Sequence, residues 1–336
     1  MKTTRGLRWL VLLWIALVMA CSQQAPKDPA DRVVVQLKWK HQTQFAGFYV
    51  AQAKGHYATE NLEVRFLEGG QGIDLAQALI GGQADFSVLT PEDILIKRAQ
   101  GAPLTAIAAI YRRSAVVYAA MADSGIRRPA DFKGKCLAVQ GTAGAMRDME
   151  FQLQALMKKL NLDLSQVRLV PYDPEYVDFY KGDVEVTAAY LTGGIVRMGQ
   201  KGLRLNLIWP GDYGVHFYSD TLATTEAMIA QKPELVTRFL RATLQGWREA
   251  IGNPEMAVAE TLKYAQDKDS VFQTAMLEAL VPLVHTGQDH IGWMRAADWD
   301  EMHRVLLEQK IIPSPLDMSK IYSTQFLAKV YGDPQP

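Results

Sequence analysis

Residues 33–56 read VVVQLKWKHQTQFAGFYVAQAKGH, a strand pattern followed closely by a helix pattern. The run Val33–Lys38 is rich in valine and predicts a β-strand. The segment Gln44–His56 predicts a helix, in which small residues such as Ala46 and Gly47 allow close packing. A strand that leads directly into a helix is the unit from which α/β sheets are built.

The same alternation continues toward the C-terminus. It predicts strands at Leu62–Leu67, Ala84–Leu89 and Leu104–Ile110, and helices at Ile73–Ile80 and Pro91–Gln100. Proline in a first helical turn costs no hydrogen bond, because the N–H it lacks has no partner within the helix. Strands and helices that alternate at this spacing predict a mainly parallel α/β sheet.

A second series of strands and helices begins after the β-rich run Val116–Met121. It predicts strands at Cys136–Gln140, Val167–Pro171 and Val184–Tyr190, helices at Ala145–Asn161, Glu175–Lys181 and Ile195–Gln200, and β-like runs at Leu203–Trp209 and Val215–Ser219. Pro233 then begins a strongly amphipathic helix, and the chain is almost wholly helical from there to about Leu327.

Two such series predict two lobes joined by a hinge. We expect one lobe at residues 32–118 and 222–336 and the other at residues 119–221, with crossings near 118–122 and 217–222. The helical tail is expected to pack on the first lobe. The predicted fold class is therefore α/β, with two lobes, mainly parallel sheets flanked by helices, and a helical C-terminal tail.

The first twenty residues predict an export signal. Basic residues precede the apolar run Trp9–Ala20, which is too short to span ~30 Å of hydrocarbon. Residues 17–21 read LVMAC and resemble a bacterial lipobox, so Cys21 is the expected lipidated N-terminus of the mature chain. An ordinary signal peptide or an uncleaved anchor is the alternative. Residues 21–31 predict a polar tether that holds an extracytoplasmic body, in the periplasm or at the cell surface, to the membrane.

Composition excludes several classes of protein. The 336 residues carry 36 Lys+Arg and 36 Asp+Glu, so no basic excess indicates nucleic acid as a partner. A hydrophobic share of 49% excludes general disorder. The two cysteines, Cys21 and Cys136, exclude a disulfide framework and a four-cysteine zinc site. Because His285, His290 and His303 lack the spacing of metal ligands, we predict no metal site and no cofactor.

Ligand sites in α/β sheets lie beyond the carboxyl ends of the strands. This rule selects residues in both lobes, namely Trp39, His41, Gln42, Gln44, Phe45, Thr90, Glu92, Gly141, Thr142 and Tyr190, with Tyr213 as a further stacking residue. Aromatic faces beside amides suit a flat heterocycle with ring nitrogens and amino groups. The alternative is that Trp39 and Phe45 belong to the core of the lobe.

The segment from Leu37 to Ala51 resembles the opening motif of the thiamine-precursor pyrimidine-binding family, and the resemblance covers most of residues 32–255. Substrate-binding proteins of bacterial ABC transporters are in that family. The resemblance therefore implies a type II periplasmic binding protein fold, a small heterocyclic ligand, and an ABC permease and ATPase as partners. Where the family has two asparagines and a histidine, this chain has Gln42, Gln44 and Phe45, which indicates a related ligand. Riboflavin, sulfonate or nitrate binding, and an extracytoplasmic sensor role, are the alternatives.

A eukaryotic branch of the family is enzymatic and makes the pyrimidine from pyridoxal phosphate and an active-site histidine. That branch carries a cysteine-rich iron-binding segment, where this chain has Cys136 alone. Phe45 also stands in place of the histidine. We therefore predict no catalytic residues and no enzymatic activity.

Overall fold

Two five-stranded sheets organise the computed structural model, which describes residues 29–70, 72–141, 147–287 and 289–332. The strands are β1 Asp31–Gln36, β2 Leu62–Leu67, β3 Phe86–Leu89, β4 Leu104–Ala109, β5 Val116–Met121, β6 Cys136–Gln140, β7 Arg168–Pro171, β8 Val186–Tyr190, β9 Leu205–Ile208 and β10 Thr221–Thr225. The first sheet has the order β2-β1-β3-β10-β4, and the second has the order β7-β6-β8-β5-β9. Each sheet with the helices packed on it is called the first or second lobe below. The predicted export signal, Cys21 and Thr142 lie outside the described residues.

Helices flank both sheets. They are α1 Ala46–Ala53, α2 His56–Thr59, α3 Leu75–Ile80, α4 Pro91–Ala99, α5 Arg147–Lys159, α6 Val177–Lys181, α7 Val196–Gln200, α8 Glu226–Gln231, α9 Pro233–Gly252, α10 Pro254–Tyr264, α11 Ser270–Val284, α12 Ala296–Glu308, α13 Met318–Ile321 and α14 Gln325–Tyr331. The single helix predicted for Gln44–His56 is divided, because Gly55 adopts a left-handed φ of 74° and separates α1 from α2. Within the described part of the chain, no helix is both long and apolar enough to cross a membrane.

In each sheet one strand is antiparallel to the other four. Strand β10 pairs antiparallel with β3 and β4, and β5 pairs antiparallel with β8 and β9. The remaining pairs, which β1 makes with β2 and β3 and β6 makes with β7 and β8, are parallel. The opposed strands are those that the chain enters from the other sheet, without a helical crossover. The two-lobed α/β fold is thus confirmed, and four of the five strands in each sheet run in the same direction.

The chain passes between the sheets at residues 110–115 and again at residues 209–220. In the second crossing the β-like prediction for Val215–Ser219 is wrong, because this segment forms no strand. Its apolar side chains pack into the core at the junction of the sheets, and Ser219 N donates to the carbonyl of Tyr111 in the first crossing at 3.0 Å. The expected boundary at residue 118 falls inside β5, whose pairs all lie in the second sheet.

The helical tail packs on the first lobe, where α9 lies along α1. The two helices approach most closely at Gly246. A Cβ atom there would lie 2.2 Å from the carbonyl oxygen of Gly47, so only glycine allows this contact. The contact fixes α1 and, with it, the end of the loop that connects β1 to α1.

Candidate ligand-binding cleft

A cavity of about 410 Å³ lies between the two lobes. Aromatic side chains line it from both sides: Trp39 from the first lobe, Phe272 from the tail, and Tyr172, Tyr176, Tyr180 and Tyr190 from the second lobe. Polar side chains complete the wall, among them Lys38, Gln42, Gln44, Gln273 and Arg197. Largely apolar walls with a few placed polar groups are typical of small-molecule sites.

The cavity brings together part of the predicted ligand site, namely Trp39, His41, Gln42, Gln44 and Tyr190. The first four residues follow β1 in the first sheet, whereas Tyr190 is the last residue of β8 in the second. Segments that are about 150 residues apart therefore meet where strands of both sheets end, as the carboxyl-end rule requires. Their contact with a ligand stays a prediction.

The other described residues of the predicted site do not line the cavity. Phe45 lies in the hydrophobic core, with 1% of its surface exposed. Thr90 accepts a hydrogen bond from the backbone of α4 and so caps that helix. Tyr213 packs against the core, Gly141 directly follows β6, and Glu92 is buried in the first turn of α4.

Hydrogen bonds hold the loop between β1 and α1 in place. The backbone N–H of His41 donates to Glu68 Oε1 at 2.9 Å, and His41 Nδ1 lies 2.8 Å from the hydroxyl oxygen of Tyr49. Burial lowers the pKa of His41 and outweighs the opposing effect of the Glu68 carboxylate. Because the net pKa is lowered, the ring is neutral at pH 7. Thr43 Oγ1 donates to the carbonyl of Gln273 at 2.8 Å, which ties the loop to α11. The loop is therefore formed before any ligand binds.

A buried lysine forms the floor of the cavity and joins the two lobes. Lys38 donates to the Tyr190 hydroxyl, and its Nζ lies 3.6 Å from Asp148 Oδ2 and 3.7 Å from Asp220 Oδ1. The Tyr190 hydroxyl donates in turn to Asp148 Oδ2 at 2.5 Å. Burial lowers the pKa of Lys38, but Asp148 and Asp220 outweigh burial and the net pKa is raised. Lys38 is therefore an ammonium ion that donates to Tyr190 and is compensated by two carboxylates within 4 Å.

A second buried contact joins the lobes behind this floor. Gln152 on α5 donates from Nε2 to Glu92 Oε1 at 3.1 Å, and Ser114 donates to Gln152 Oε1 at 2.8 Å. No described residue donates to Glu92 Oε2. Burial, reinforced by the charge of Asp148, raises the pKa of Glu92 well above its usual range. The native structure thus favours the neutral acid at this position.

This shift predicts how a Glu92→Gln variant responds to pH. A carboxyl group whose pKa is raised by folding stabilises the native state below its unfolded pKa of 4.5, and that stabilisation is lost as the pH rises. Glutamine does not ionise, so its contribution does not change with pH. As the pH rises from 5 to 9, we therefore expect the unfolding free energy of the variant to increase by about 1–3 kcal/mol relative to that of wild type. Urea unfolding at several pH values measures this gain. The exposed Glu175→Gln variant is the control, and an equal gain in both variants would contradict the prediction.

The wall of the second lobe is built on a π-helical turn at Leu191–Ile195, directly after β8. A Cβ atom on Gly194 would lie 2.1 Å from the hydroxyl oxygen of Tyr176, so glycine lets Tyr176 pack against this turn. The hydroxyls of Tyr172 and Tyr176 are 2.9 Å apart, and their rings meet edge to face at 81°. The turn and the tyrosine pair therefore form a fixed aromatic wall.

Arg197 connects the second lobe to the tail at the mouth of the cavity. Its Nη2 donates to Asp267 Oδ2 at 2.5 Å and its Nη1 donates to Asp269 Oδ2 at 3.3 Å. Its guanidinium also lies 3.5 Å from the centre of the Phe272 ring. The charge of Arg197 is therefore already compensated by carboxylates of the protein.

Lys38, Asp148 and Asp220, which form the charged floor, are not among the residues that the sequence predicts for the site. A signal was available for Lys38, because a lone charge at the end of an apolar strand is costly to bury without partners. Phe272 and Gln273 carried no such signal. They line the cavity only because the helical tail packs back against the lobes, and a local sequence pattern does not predict that packing.

Two relatives with curated names are similar to nearly the whole chain. The riboflavin-binding protein RibY of Chloroflexus aurantiacus is 25% identical over 346 residues, which cover 95% of this chain and 96% of that protein. The formylaminopyrimidine-binding protein of Halalkalibacterium halodurans is 24% identical, over 90% of this chain and 94% of its own length. Proteins named 4-amino-5-hydroxymethyl-2-methylpyrimidine phosphate synthase also match, at 24% identity for the one from Legionella pneumophila.

The fold has solved counterparts among periplasmic binding proteins. The periplasmic aliphatic sulphonate binding protein SsuA of Escherichia coli superposes with a TM-score of 0.71 at 15% identity, over 89% of this chain and 94% of that one. At this identity the likeness establishes the fold, which is that of a periplasmic binding protein. Residues 42–257 match the family described as NMT1/THI5 like, and the chain belongs to that family.

Proposed function

We propose that this protein is the solute-binding component of an ABC importer and closes its two lobes on a flat aromatic heterocycle. The observation that carries the proposal is the aromatic wall contributed by both lobes, with Trp39 on one side and Tyr176 and Tyr190 on the other. A planar ring held between such faces contacts both lobes, which favours the closed arrangement. The two lobes would move about the two crossings, at residues 110–115 and 209–220.

Two of the cations at the cleft, Lys38 and Arg197, are already compensated by carboxylates of the protein. Sulfonate binding requires donors that are free to approach its oxygens. Lys38 already donates to Tyr190, and Arg197 is paired with carboxylates at the mouth. Lys40 and Lys201 also line the cavity, so our preference for a neutral ring over an anion rests on the stacking faces.

Calorimetric titration of the purified protein tests this proposal. The ligands are riboflavin, 4-amino-5-hydroxymethyl-2-methylpyrimidine and an aliphatic sulfonate. We expect at least one heterocycle to bind with a Kd of about 1 μM or less, and the sulfonate to bind far more weakly. Riboflavin is the first alternative to the pyrimidine, because RibY matches this chain over almost its full length. Binding of the sulfonate alone would overturn the proposal.

We further propose that the protein does not transform its ligand. The two curated relatives described above in full are named as binding proteins. Mass spectrometry after prolonged incubation should return the bound heterocycle unchanged. A lysine-linked pyridoxal phosphate, detected by absorbance or by mass, would show that the protein is an enzyme.

The lipid anchor is a separate proposal, based on the LVMAC sequence at residues 17–21. We expect a Cys21→Ser variant to lose fatty-acid labelling and to accumulate as a longer precursor in a bacterial host. A Cys136→Ser variant is the matched control, because its cysteine lies in a buried strand and its labelling should be unchanged. Continued labelling of the Cys21→Ser protein would rule out Cys21 as the lipid anchor, and a processed wild type without any label would indicate the ordinary signal peptide.

A further inference from the structure

A chain of side-chain hydrogen bonds leads from the buried floor to the cavity surface. Gln44 Nε2 donates to Asp220 Oδ2 at 2.7 Å, and Gln42 Nε2 donates to Gln44 Oε1 at 2.6 Å. Asp220 and Gln44 are buried, with 1% and 5% exposure, whereas Gln42 is half-buried and lines the cavity. The chain therefore begins at a hidden carboxylate and ends at a group that a ligand can reach.

The carboxylate fixes the direction of this chain. An ionised carboxylate only accepts hydrogen bonds, so Gln44 must present its NH₂ group to Asp220 and its carbonyl oxygen to Gln42. Gln42 must then present NH₂ to Gln44. The reverse orientation would place two acceptor oxygens 2.7 Å apart at Asp220, which is repulsive.

Lys38 favours the ionised form of Asp220 that this direction requires. Burial and the charge of Asp148 raise the pKa of Asp220 above its usual value, and Lys38 and the Gln44 hydrogen bond limit that rise. The ammonium nitrogen lies 3.7 Å from Asp220 Oδ1, the oxygen that Gln44 does not use. One carboxylate oxygen thus faces the lysine and the other orients the glutamines.

The end of the chain exposes an acceptor. Gln42 uses one N–H on Gln44 and keeps its second N–H and Oε1, and among the described residues no hydrogen bond to Oε1 is formed. We propose that Asp220 is a positioning residue that makes Gln42 a hydrogen-bond acceptor, so that the protein selects heterocycles whose ring edge donates an N–H. This inference rests on the proposed function and specifies the chemistry of its ligand.

The test uses two pairs of probe compounds, and the two members of each pair differ by one N–H donor group. The first pair is 4-amino-5-hydroxymethyl-2-methylpyrimidine and 5-hydroxymethyl-2,4-dimethylpyrimidine, in which a methyl group of similar size replaces the amino group. The second pair is riboflavin and 3-methylriboflavin, which lacks the ring N–H. Wild type should prefer the donor-bearing member of the pair that it binds by about tenfold or more.

Asp220→Asn separates positioning from a structural role. An asparagine can donate as well as accept, so the glutamine chain is free to reverse and the donor preference should fall to about threefold or less. Asp148→Asn is the matched control, because it removes the other carboxylate that faces Lys38 but does not touch the glutamine chain. That control should keep the wild-type preference even if it weakens binding of both members equally.

Gln42→Leu is a second variant, on a half-buried residue, for the case in which Asp220→Asn does not fold. It should also abolish the preference. A wild type that binds both members of a pair equally would overturn the inference and leave the proposed function intact. An Asp220→Asn variant that keeps the full preference would show that Asp220 is merely structural. If wild type binds no heterocycle at all, the proposed function itself fails, and this inference fails with it.

Discussion

Replacing Lys38 by methionine is expected to lower the free energy of unfolding by about 3–5 kcal/mol at neutral pH, because it leaves buried carboxylates without their counter-ion. Asp148 and Asp220 are almost wholly buried, and Lys38 Nζ lies within 4 Å of both. Methionine has a similar length and fills the space, so the loss reflects charge rather than a cavity. Thermal and urea unfolding at pH 7 measure the effect.

The deficit of the Lys38→Met variant should also depend on pH. Without the ammonium ion, Asp220 is a buried carboxyl group whose pKa folding raises. Such groups stabilise the native state below their unfolded pKa, near 4, and this contribution is lost as the pH rises. The variant should therefore recover stability toward pH 5 and be weakest toward pH 9.

Lys40→Met is the matched control for Lys38→Met, because Lys40 is exposed two residues farther along the same loop. A surface lysine without a buried partner should change the free energy of unfolding by at most about 0.5 kcal/mol. Equal effects of the two substitutions would disprove the buried cluster. So would a Lys38→Met deficit that grows on acidification.

Most of the fold was predictable from the sequence because each element carries its own local pattern. Strands such as Val116–Met121 and Cys136–Gln140 have the predicted bounds, since an apolar β-branched run is buried wherever the chain places it. The exception, Val215–Ser219, is equally apolar but lies in a crossing between the sheets. Its burial comes from the junction of two lobes, which a local pattern cannot distinguish from a sheet.

The candidate site was predictable only in part, for a similar reason. The carboxyl-end rule found Trp39, Gln42 and Tyr190, because strand ends follow directly from the strand pattern. It also selected Thr90, which caps α4 and does not line the cavity. Asp220 was missed because its role comes from two contacts, with Gln44 and Lys38, that are each more than 170 residues away in sequence.

Alanine variants at Trp39 and at Phe45 should show which of the two rings belongs to the cavity wall and which belongs to the hydrophobic core. Phe45 is 1% exposed and packs in the core, so Phe45→Ala should cost about 3–5 kcal/mol of unfolding free energy through the cavity it opens. Trp39 is partly exposed and lines the ligand cavity. We expect Trp39→Ala to cost less stability than Phe45→Ala, but to weaken binding of the preferred heterocycle by about tenfold or more.

Both effects are measured on the same protein samples, by thermal melting and by titration with riboflavin and the aminopyrimidine. The comparison is informative because the two aromatic residues belong to one short segment and differ mainly in what their rings face. Trp39 faces ligand space between the lobes, whereas Phe45 faces the interior of one lobe. A Trp39→Ala variant that melts as early as Phe45→Ala, yet binds with wild-type affinity at low temperature, would show that Trp39 is core. The stacking surface for the ligand would then have to come from the tyrosines of the second lobe.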